Sequence, residues 1–277
     1  LELPVDAIGT KKNLFRLGGD SIRAMRMQAR LEDIYRAKME SNFCYLFPTV
    51  EQQVQYFRTR DMAYVRPAFE DLLKRLQTDY IDIYYTHWQT PDFSLYPLEE
   101  TMDTLLQLKK EGKIRAIGAS NVTAKIIEKY CSLGQLDVIQ EKYSLLDTHI
   151  ADKLLPVCQK HHVSIQAYSP LEQGLLTGKV TQDTVLSPTD VRNKNKFWAQ
   201  KSRLHILNVL QKLTPYTEKY SCSLSNLIIY LTAASLPDLH VLCGARKPEQ
   251  IIDNVKTLSL NLEEADLSEM SQLFEQL

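Results

Sequence analysis

A handful of residues could do chemistry because of where they fall. His87 closes the run Asp79 to Trp88, an almost unbroken apolar stretch carrying Ile81, Ile83, Tyr84 and Tyr85, which reads as one buried parallel strand. Ser120 with Asn121, Gln140, Tyr168 with Ser169, and Arg246 just past Gly244 close four further strand-like runs in the same way. Parallel α/β folds place their chemistry at the C-terminal ends of strands, so five polar ends predict one rim of hydrogen-bonding groups around one opening. Taken alone, His87 is equally read as a hydrogen-bonded histidine at a strand end. Gly244-Ala-Arg-Lys-Pro-Glu-Gln250 sets Arg246 and Lys247 at a helix N-terminus. Free N–H groups beside two cations describe a phosphate site, with a solvated basic turn as the bland alternative. Ser21 follows Gly18-Gly19-Asp20 at a helix entry, where a short polar side chain caps exposed N–H groups.

The elements that must position these residues alternate along the chain from Pro67 onward. A helix from Pro67 to Gln77 precedes the strand ending at His87, and a helix from Pro97 to Glu111 follows it. Strands are then expected at Ile114 to Asn121, Asp137 to Tyr143, Val163 to Tyr168 and Leu239 to Gly244. Helices from Thr123 to Leu133, from Ile150 to His161 and from Pro248 separate them, with a long loop after Tyr168. Such alternation implies a parallel sheet with right-handed crossovers. Residues 1–57 are different in pattern: helical, with Ile22, Met25, Met27, Ala29 and Leu31 as the apolar positions of a helix from Ser21 to Tyr35. The charged stretch 58–66 reads as a connection between the two regions.

The 277 residues suit one large α/β domain plus a small module. With 33 basic and 34 acidic residues the net charge is -1, so no field calls for nucleic acid or an anionic membrane. No apolar run approaches the roughly 20 residues of a membrane span, and no signal peptide is visible. The five cysteines are scattered and odd in number, which reads as reduced thiols of a cytoplasmic protein. No metal-ligand spacing appears; His161-His162 reads as the polar end of a helix. The chain opens Leu1-Glu2-Leu3-Pro4 without Met and reads as a piece of something longer, or as the product of a cut.

Two resemblances sharpen this. Phe15-Arg-Leu-Gly-Gly-Asp-Ser-Ile resembles the phosphopantetheine attachment motif of peptidyl carrier domains from nonribosomal peptide synthetases, and Leu46-Phe-Pro-Thr-Val-Glu-Gln resembles that family's last helix. The resemblance implies 4′-phosphopantetheine on Ser21, with a phosphopantetheinyl transferase and assembly-line modules as partners. From about residue 64 to 277 the chain resembles the aldo-keto reductases. The matching runs are Leu76-Gln-Thr-Asp-Tyr-Ile-Asp-Ile-Tyr-Tyr-Thr-His-Trp, Gly112-Lys-Ile-Arg-Ala-Ile-Gly-Ala-Ser-Asn, Tyr168-Ser-Pro-Leu-Glu-Gln-Gly-Leu-Leu-Thr-Gly and Gly244-Ala-Arg-Lys-Pro-Glu-Gln. It most resembles the branch that reduces small aldehydes such as methylglyoxal.

That second resemblance implies an α/β chain: an incomplete parallel (β/α) barrel holding the last five strands of eight, behind a small all-α carrier-like segment. It divides the chain into a carrier-like segment 1–57, a connection 58–66 and a reductase-like barrel portion 67–277. It assigns His87 to orienting the substrate carbonyl, and Ser120, Asn121 and Gln140 to the nicotinamide carboxamide. Tyr168 matches the aromatic on which the ring stacks. Ser169, Leu171, Gln173 and Gly174 match the loop along the pyrophosphate. Gly244, Ala245, Arg246, Gln250 and Asn254 match the adenosine pocket, where Arg246 favours the 2′-phosphate of NADP(H). The first three strands of the family carry a catalytic Asp, a proton-donating Tyr and the Lys that tunes it, and these have no counterpart in the sequence. The expectation is therefore a carrier-fused reductase of nonribosomal-peptide-type metabolism acting on a small carbonyl or a carrier-tethered substrate. The alternative is a catalytically incomplete remnant that serves as a carrier or interaction module.

Overall fold

The computed structural model describes residues 11–17, 20–35, 39, 43–53, 69–89, 97–275 and 277. The chain divides into two compact units, one of residues Leu1–Asp82 with Thr90–Arg115 and one of Ile83–Gln89 with Ala116–Leu277. The connection expected at 58–66 lies outside the described residues, as do Gly18 and Gly19.

In the first unit, α1 spans Ser21–Tyr35, as its apolar spacing predicts. Asp20 sets its start, because its Oδ1 accepts the backbone N–H of Arg23 at 2.8 Å. α2 (Phe43–Leu46) packs against it: Phe43 and Cys44 join Ala24 in a small core bordered by Leu14, Phe15, Met27, Leu31, Met39 and Phe47. A short helical stretch at 50–53 follows, opened by a reciprocal cap in which Thr49 Oγ1 accepts from Gln52 N–H and Gln52 Oε1 accepts from Thr49 N–H. The same unit carries a helix at 69–76 and α3 (Leu98–Lys110). α3 has Pro97 at its N-cap, Glu99 and Glu100 in its first turn and Lys109 and Lys110 in its last, all signs that suit the helix dipole.

The sheet has five strands in the order of the chain: β1 (Ile81–Thr86), β2 (Ile114–Ser120), β3 (Val138–Lys142), β4 (Ser164–Tyr168) and β5 (Leu239–Leu242). β2 to β5 pair in parallel, with Ser120 opposite Gln140, Gln140 opposite Gln166, and Gln166 opposite His240. Parallel pairing requires long crossovers, and α4 (Ala124–Leu133), α5 (His149–Lys153) and α6 (Leu155–His161) supply those between β2 and β4. The expected single helix over 150–161 is broken at Leu154, because Pro156 in the first turn of α6 has no N–H to continue the ladder. β1 is also a correction. It is shorter than the run 79–88 and half-buried rather than buried, because it is the first strand in the sheet order and so has a neighbour on one side among the described residues.

The segment expected as a loop between β4 and β5 is largely helical and carries an apolar cluster of its own. A 3-10 stretch Glu172–Thr177 leads to α7 (Gln200–Gln211), α8 (Thr214–Lys219) and α9 (Leu224–Ala234). Leu175, Leu176, Trp198, Ile206, Leu213, Leu227, Ile228 and Leu231 bury each other there, with Met270 and Phe274 from α11 (Glu264–Glu275). α10 (Pro248–Val255) follows β5 and is pinned to α9 by the buried Asn226, whose amide donates to Asp253 O at 2.7 Å. Among the described residues no helix is long and apolar enough to cross a membrane. The five cysteines are unpaired, and no cluster of described His, Cys, Asp and Glu could hold a metal ion.

Candidate cofactor and substrate site

The strand ends of the second unit are joined by a chain of hydrogen bonds. Ser120, buried at the end of β2, donates its hydroxyl to the Gln140 carbonyl at 2.7 Å. Asn121 sits just beyond in a left-handed backbone (φ 57°), a conformation Asn tolerates better than most residues. Its Nδ2 donates to the His87 carbonyl at 2.9 Å, and its Oδ1 accepts from the Tyr168 hydroxyl at 2.9 Å. One amide therefore ties the ends of β1, β2 and β4 together. Gln89 adds a second tie, donating to Thr86 Oγ1 and to the Ser120 carbonyl at 3.2 Å each, while its own carbonyl accepts from the Tyr130 hydroxyl.

His87 joins this network through its backbone. Its imidazole is exposed, with its centroid 6.1 Å from that of Trp88, so it faces solvent at the strand end. Deeper on the sheet, Tyr85 lies over Gly118 of β2, and its hydroxyl donates to Gln166 Oε1 at 2.6 Å. Burial pushes the Tyr85 phenol up, and a hydrogen bond with the Gln140 side chain offsets part of that. Tyr84, Tyr130, Tyr143 and Tyr168 are likewise held above the usual phenol range, with burial as the leading cause. None of these five tyrosines is prepared to release a proton near neutral pH.

Beside the rim a cavity of about 640 Å³ opens between three segments. Ser169, Leu171, Gln173, Gly174 and Thr177 line it from the turn after β4; Gly244, Ala245, Arg246 and Gln250 line it from the turn after β5 and the start of α10. Eight of the thirteen residues expected at the cofactor lie there, four more (Ser120, Asn121, Gln140 and Tyr168) lie in the rim network, and Asn254 lies in α10 one turn past Gln250, outside the lining. Gln250 folds back to accept the backbone N–H groups of Arg246 and Lys247 at 2.7 and 3.2 Å, which shapes the turn and leaves the Arg246 side chain exposed. Gly174 has φ 97°, and a Cβ there would meet nothing within 4 Å. A ligand can thus approach bare backbone, and the cavity volume is in the range of roughly 300–1,000 Å³ typical of cofactor pockets.

The third wall comes from residues that the sequence did not single out: Asp190, Val191 and Arg192. Asp190 caps the turn by accepting Arg192 N–H at 2.9 Å, and its carboxylate takes both Nε (2.9 Å) and an Nη (2.6 Å) of the Arg192 guanidinium. That pairing holds the Asp190 carboxyl at about 2, well below the usual carboxylate range. The guanidinium also stacks 4.6 Å above the Trp198 ring. Asp-x-Arg after a serine- and threonine-rich turn was the available signal.

Residues 50–275 match the Aldo/keto reductase family, and residues 1–57 match the phosphopantetheine attachment site. The chain is 41% identical over 224 residues to the NADH-specific methylglyoxal reductase of Escherichia coli (strain K12), covering 80% of this chain and 68% of that protein. It is 34% identical over 216 residues to Aldo-keto reductase YhdN of Bacillus subtilis, covering 76% of this chain and 63% of that protein. The glycerol dehydrogenase AKR11B4 of Gluconobacter oxydans superposes with a TM-score of 0.71 at 27% identity, over 78% of this chain and 64% of that structure. The chain thus spans about two thirds of the length of these relatives.

Proposed function

The chain belongs to the aldo/keto reductase family, and from that premise we propose that it binds a nicotinamide dinucleotide across the strand-end rim and the adjoining cavity. In this reading Ser120, Asn121 and Gln140 hold the carboxamide, Tyr168 stacks on the nicotinamide, and Ser169, Leu171, Gln173 and Gly174 follow the pyrophosphate. Gly244, Ala245, Arg246, Gln250 and Asn254 take the adenosine end. The nicotinamide would supply a hydride, and His87 would orient the acceptor carbonyl. The observation that carries the proposal is the continuity of the rim network with the cavity through Tyr168 and Ser169.

We assign the cofactor as NADP(H). Arg246 is exposed on the cavity wall, and a charge-assisted contact to a 2′-phosphate is worth roughly 1.5–3 kcal/mol. Titration calorimetry with NADPH and NADH, on wild type and Arg246→Ala, tests this. NADPH should bind more tightly, by about ten-fold or more, and the variant should erase that difference. Equal affinities, or tighter NADH binding of the kind named for the Escherichia coli relative, would refute the assignment of Arg246.

The carrier-like segment 1–57 places Ser21 exposed at the first turn of α1, where a phosphopantetheine arm could be attached and could swing. We propose that it presents a tethered substrate in nonribosomal-peptide-type metabolism, with a phosphopantetheinyl transferase and assembly-line modules as partners. A second reading is favoured by the tyrosines near the rim: Tyr84, Tyr85, Tyr130, Tyr143 and Tyr168 are all held above the usual phenol range, so none of them suits the role of proton donor, and in this reading the chain holds cofactor and carrier arm but completes no reduction by itself.

A further inference from the structure

Glu172 is fully buried, yet it is a carboxylate on a left-handed backbone (φ 44°) four residues past the end of β4. A buried charge in a strained conformation persists only where its surroundings over-determine it. Here they do. Oε1 accepts from the Ser144 hydroxyl at 2.6 Å and lies 3.0 Å from Lys142 Nζ; Oε2 accepts from Asn195 Nδ2 at 3.1 Å. The Glu172 carbonyl accepts from the Trp198 indole N–H at 3.2 Å. One residue thus joins the end of β3, the turn after β4 and the segment 190–198.

The last two segments are walls of the cavity, through Gln173 and Gly174 on one side and Asp190, Val191 and Arg192 on the other, while Glu172 itself lies outside the lining. Arg192 rests on Trp198, whose indole is held by Glu172, and Asn195 bridges Glu172 and Gln173 Oε1 at 3.2 Å. Lys142 keeps Asp147 at 3.0 Å as a second acid partner, so its charge does not depend on Glu172 alone.

We propose that Glu172 is a positioning residue for the nucleotide site: its buried carboxylate holds segment 190–198 against the turn after β4 and so sets the spacing of the two cavity walls. The ligand part of this rests on the dinucleotide reading above; the holding part does not. Hydrogen exchange of segment 190–198 without ligand, together with NADH and NADPH titration, tests both in the full chain. Glu172→Ala and Asn195→Ala should speed exchange over 190–198 by about ten-fold or more while β3 and α9 stay protected. The same variants should weaken dinucleotide binding by about ten-fold, and Glu172→Gln, which keeps an acceptor for Ser144, should recover most of it. Exchange over 190–198 that stays at the wild-type rate, or that rises only together with the whole core, would overturn the role of Glu172. If Glu172→Ala fails to fold, Asn195→Ala decides, since it cuts the tie and leaves the ion pair of Glu172 with Lys142 in place. Wild-type protein that binds neither dinucleotide would overturn the cofactor reading instead, with the exchange result still deciding whether Glu172 holds the walls.

Discussion

Replacing Gly118 by alanine should cost far more than a methyl group suggests. A Cβ at this position would stand 2.4, 2.5 and 2.9 Å from three ring carbons of Tyr85, where contacts of 3.4 Å or more are ordinary. The ring is not free to step aside, because its hydroxyl is anchored to Gln166 two strands beyond β2 at 2.6 Å. Moving the ring by the roughly 1 Å needed would break that bond; moving β2 instead would disturb its ladder with β3. Overpacking of this kind costs about 1–3 kcal/mol, and a half-buried hydrogen bond left unmade adds about 1. Removing a glycine from a strand returns about 0.5–1 kcal/mol through the unfolded state. The net expectation is a loss of about 1.5–3 kcal/mol, a fall in Tm of roughly 3–6 °C for a chain of this size. Urea and thermal unfolding of Gly118→Ala, Tyr85→Ala and the double variant form the assay. The double variant should be more stable than the sum of the single losses, by about 1 kcal/mol or more, because removing the Tyr85 ring removes the atoms that the added Cβ clashes with. Strict additivity, or a neutral Gly118→Ala, would refute the placement of the Tyr85 ring. Ser120 closes the strand that carries Gly118 and Asn121 lies just beyond it, so dinucleotide affinity should fall in the single variant as well.

Other outcomes follow from individual residues. Incubation with a promiscuous phosphopantetheinyl transferase and coenzyme A should add one arm by intact mass, and Ser21→Ala should remove the acceptor; an unmodified wild type would count against a working carrier. The 277-residue chain should bind dinucleotide but oxidise NADPH with methylglyoxal at close to background, since loss of a general acid typically removes about 10²–10⁴-fold. Robust turnover that vanishes in His87→Ala would show that the proton donor had been misplaced. Glu141 is buried, accepts Val122 N–H at 2.6 Å, and has its carboxyl pushed up mainly by burial. Its folded form therefore binds a proton more tightly than its unfolded form, and stability should fall as pH rises from the unfolded value of about 4.3 to the raised folded one. Chemical denaturation across that window should show the slope in wild type and not in Glu141→Gln; equal slopes would reject it.

How much of this protein was legible in its residues is seen best at particular elements. α1 was readable from Ser21 to about Tyr35, because its apolar spacing is its own and needs no distant partner. The five strands and their polar ends were readable for a similar reason. A parallel strand buried on both faces is apolar along its length, and the point where polarity returns is local information. The grouping of Ser120, Asn121, Gln140 and Tyr168 followed from sheet topology, and the alternation of strand and helix already specified that.

What the tertiary structure decided lies in contacts between segments far apart in the chain. The helices at 200–234 were passed over as loop because α9 is apolar nearly all round and reads poorly as an amphipathic pattern. β1 was read as one buried strand from its composition, whereas its place as the first strand in the sheet order, a property of the assembled sheet, leaves it half-buried. Asp190 and Arg192 look like an ordinary polar turn until Trp198 and the cavity are brought beside them. Glu172 is the sharpest case. Nothing adjacent in sequence distinguishes a buried carboxylate from a solvated one; only the arrival of Lys142, Ser144 and Asn195 makes burial of its charge affordable. Local propensity and polarity wrote the elements and the rim, and long-range compensation of charge and hydrogen bonds selected the residues that hold the cavity together.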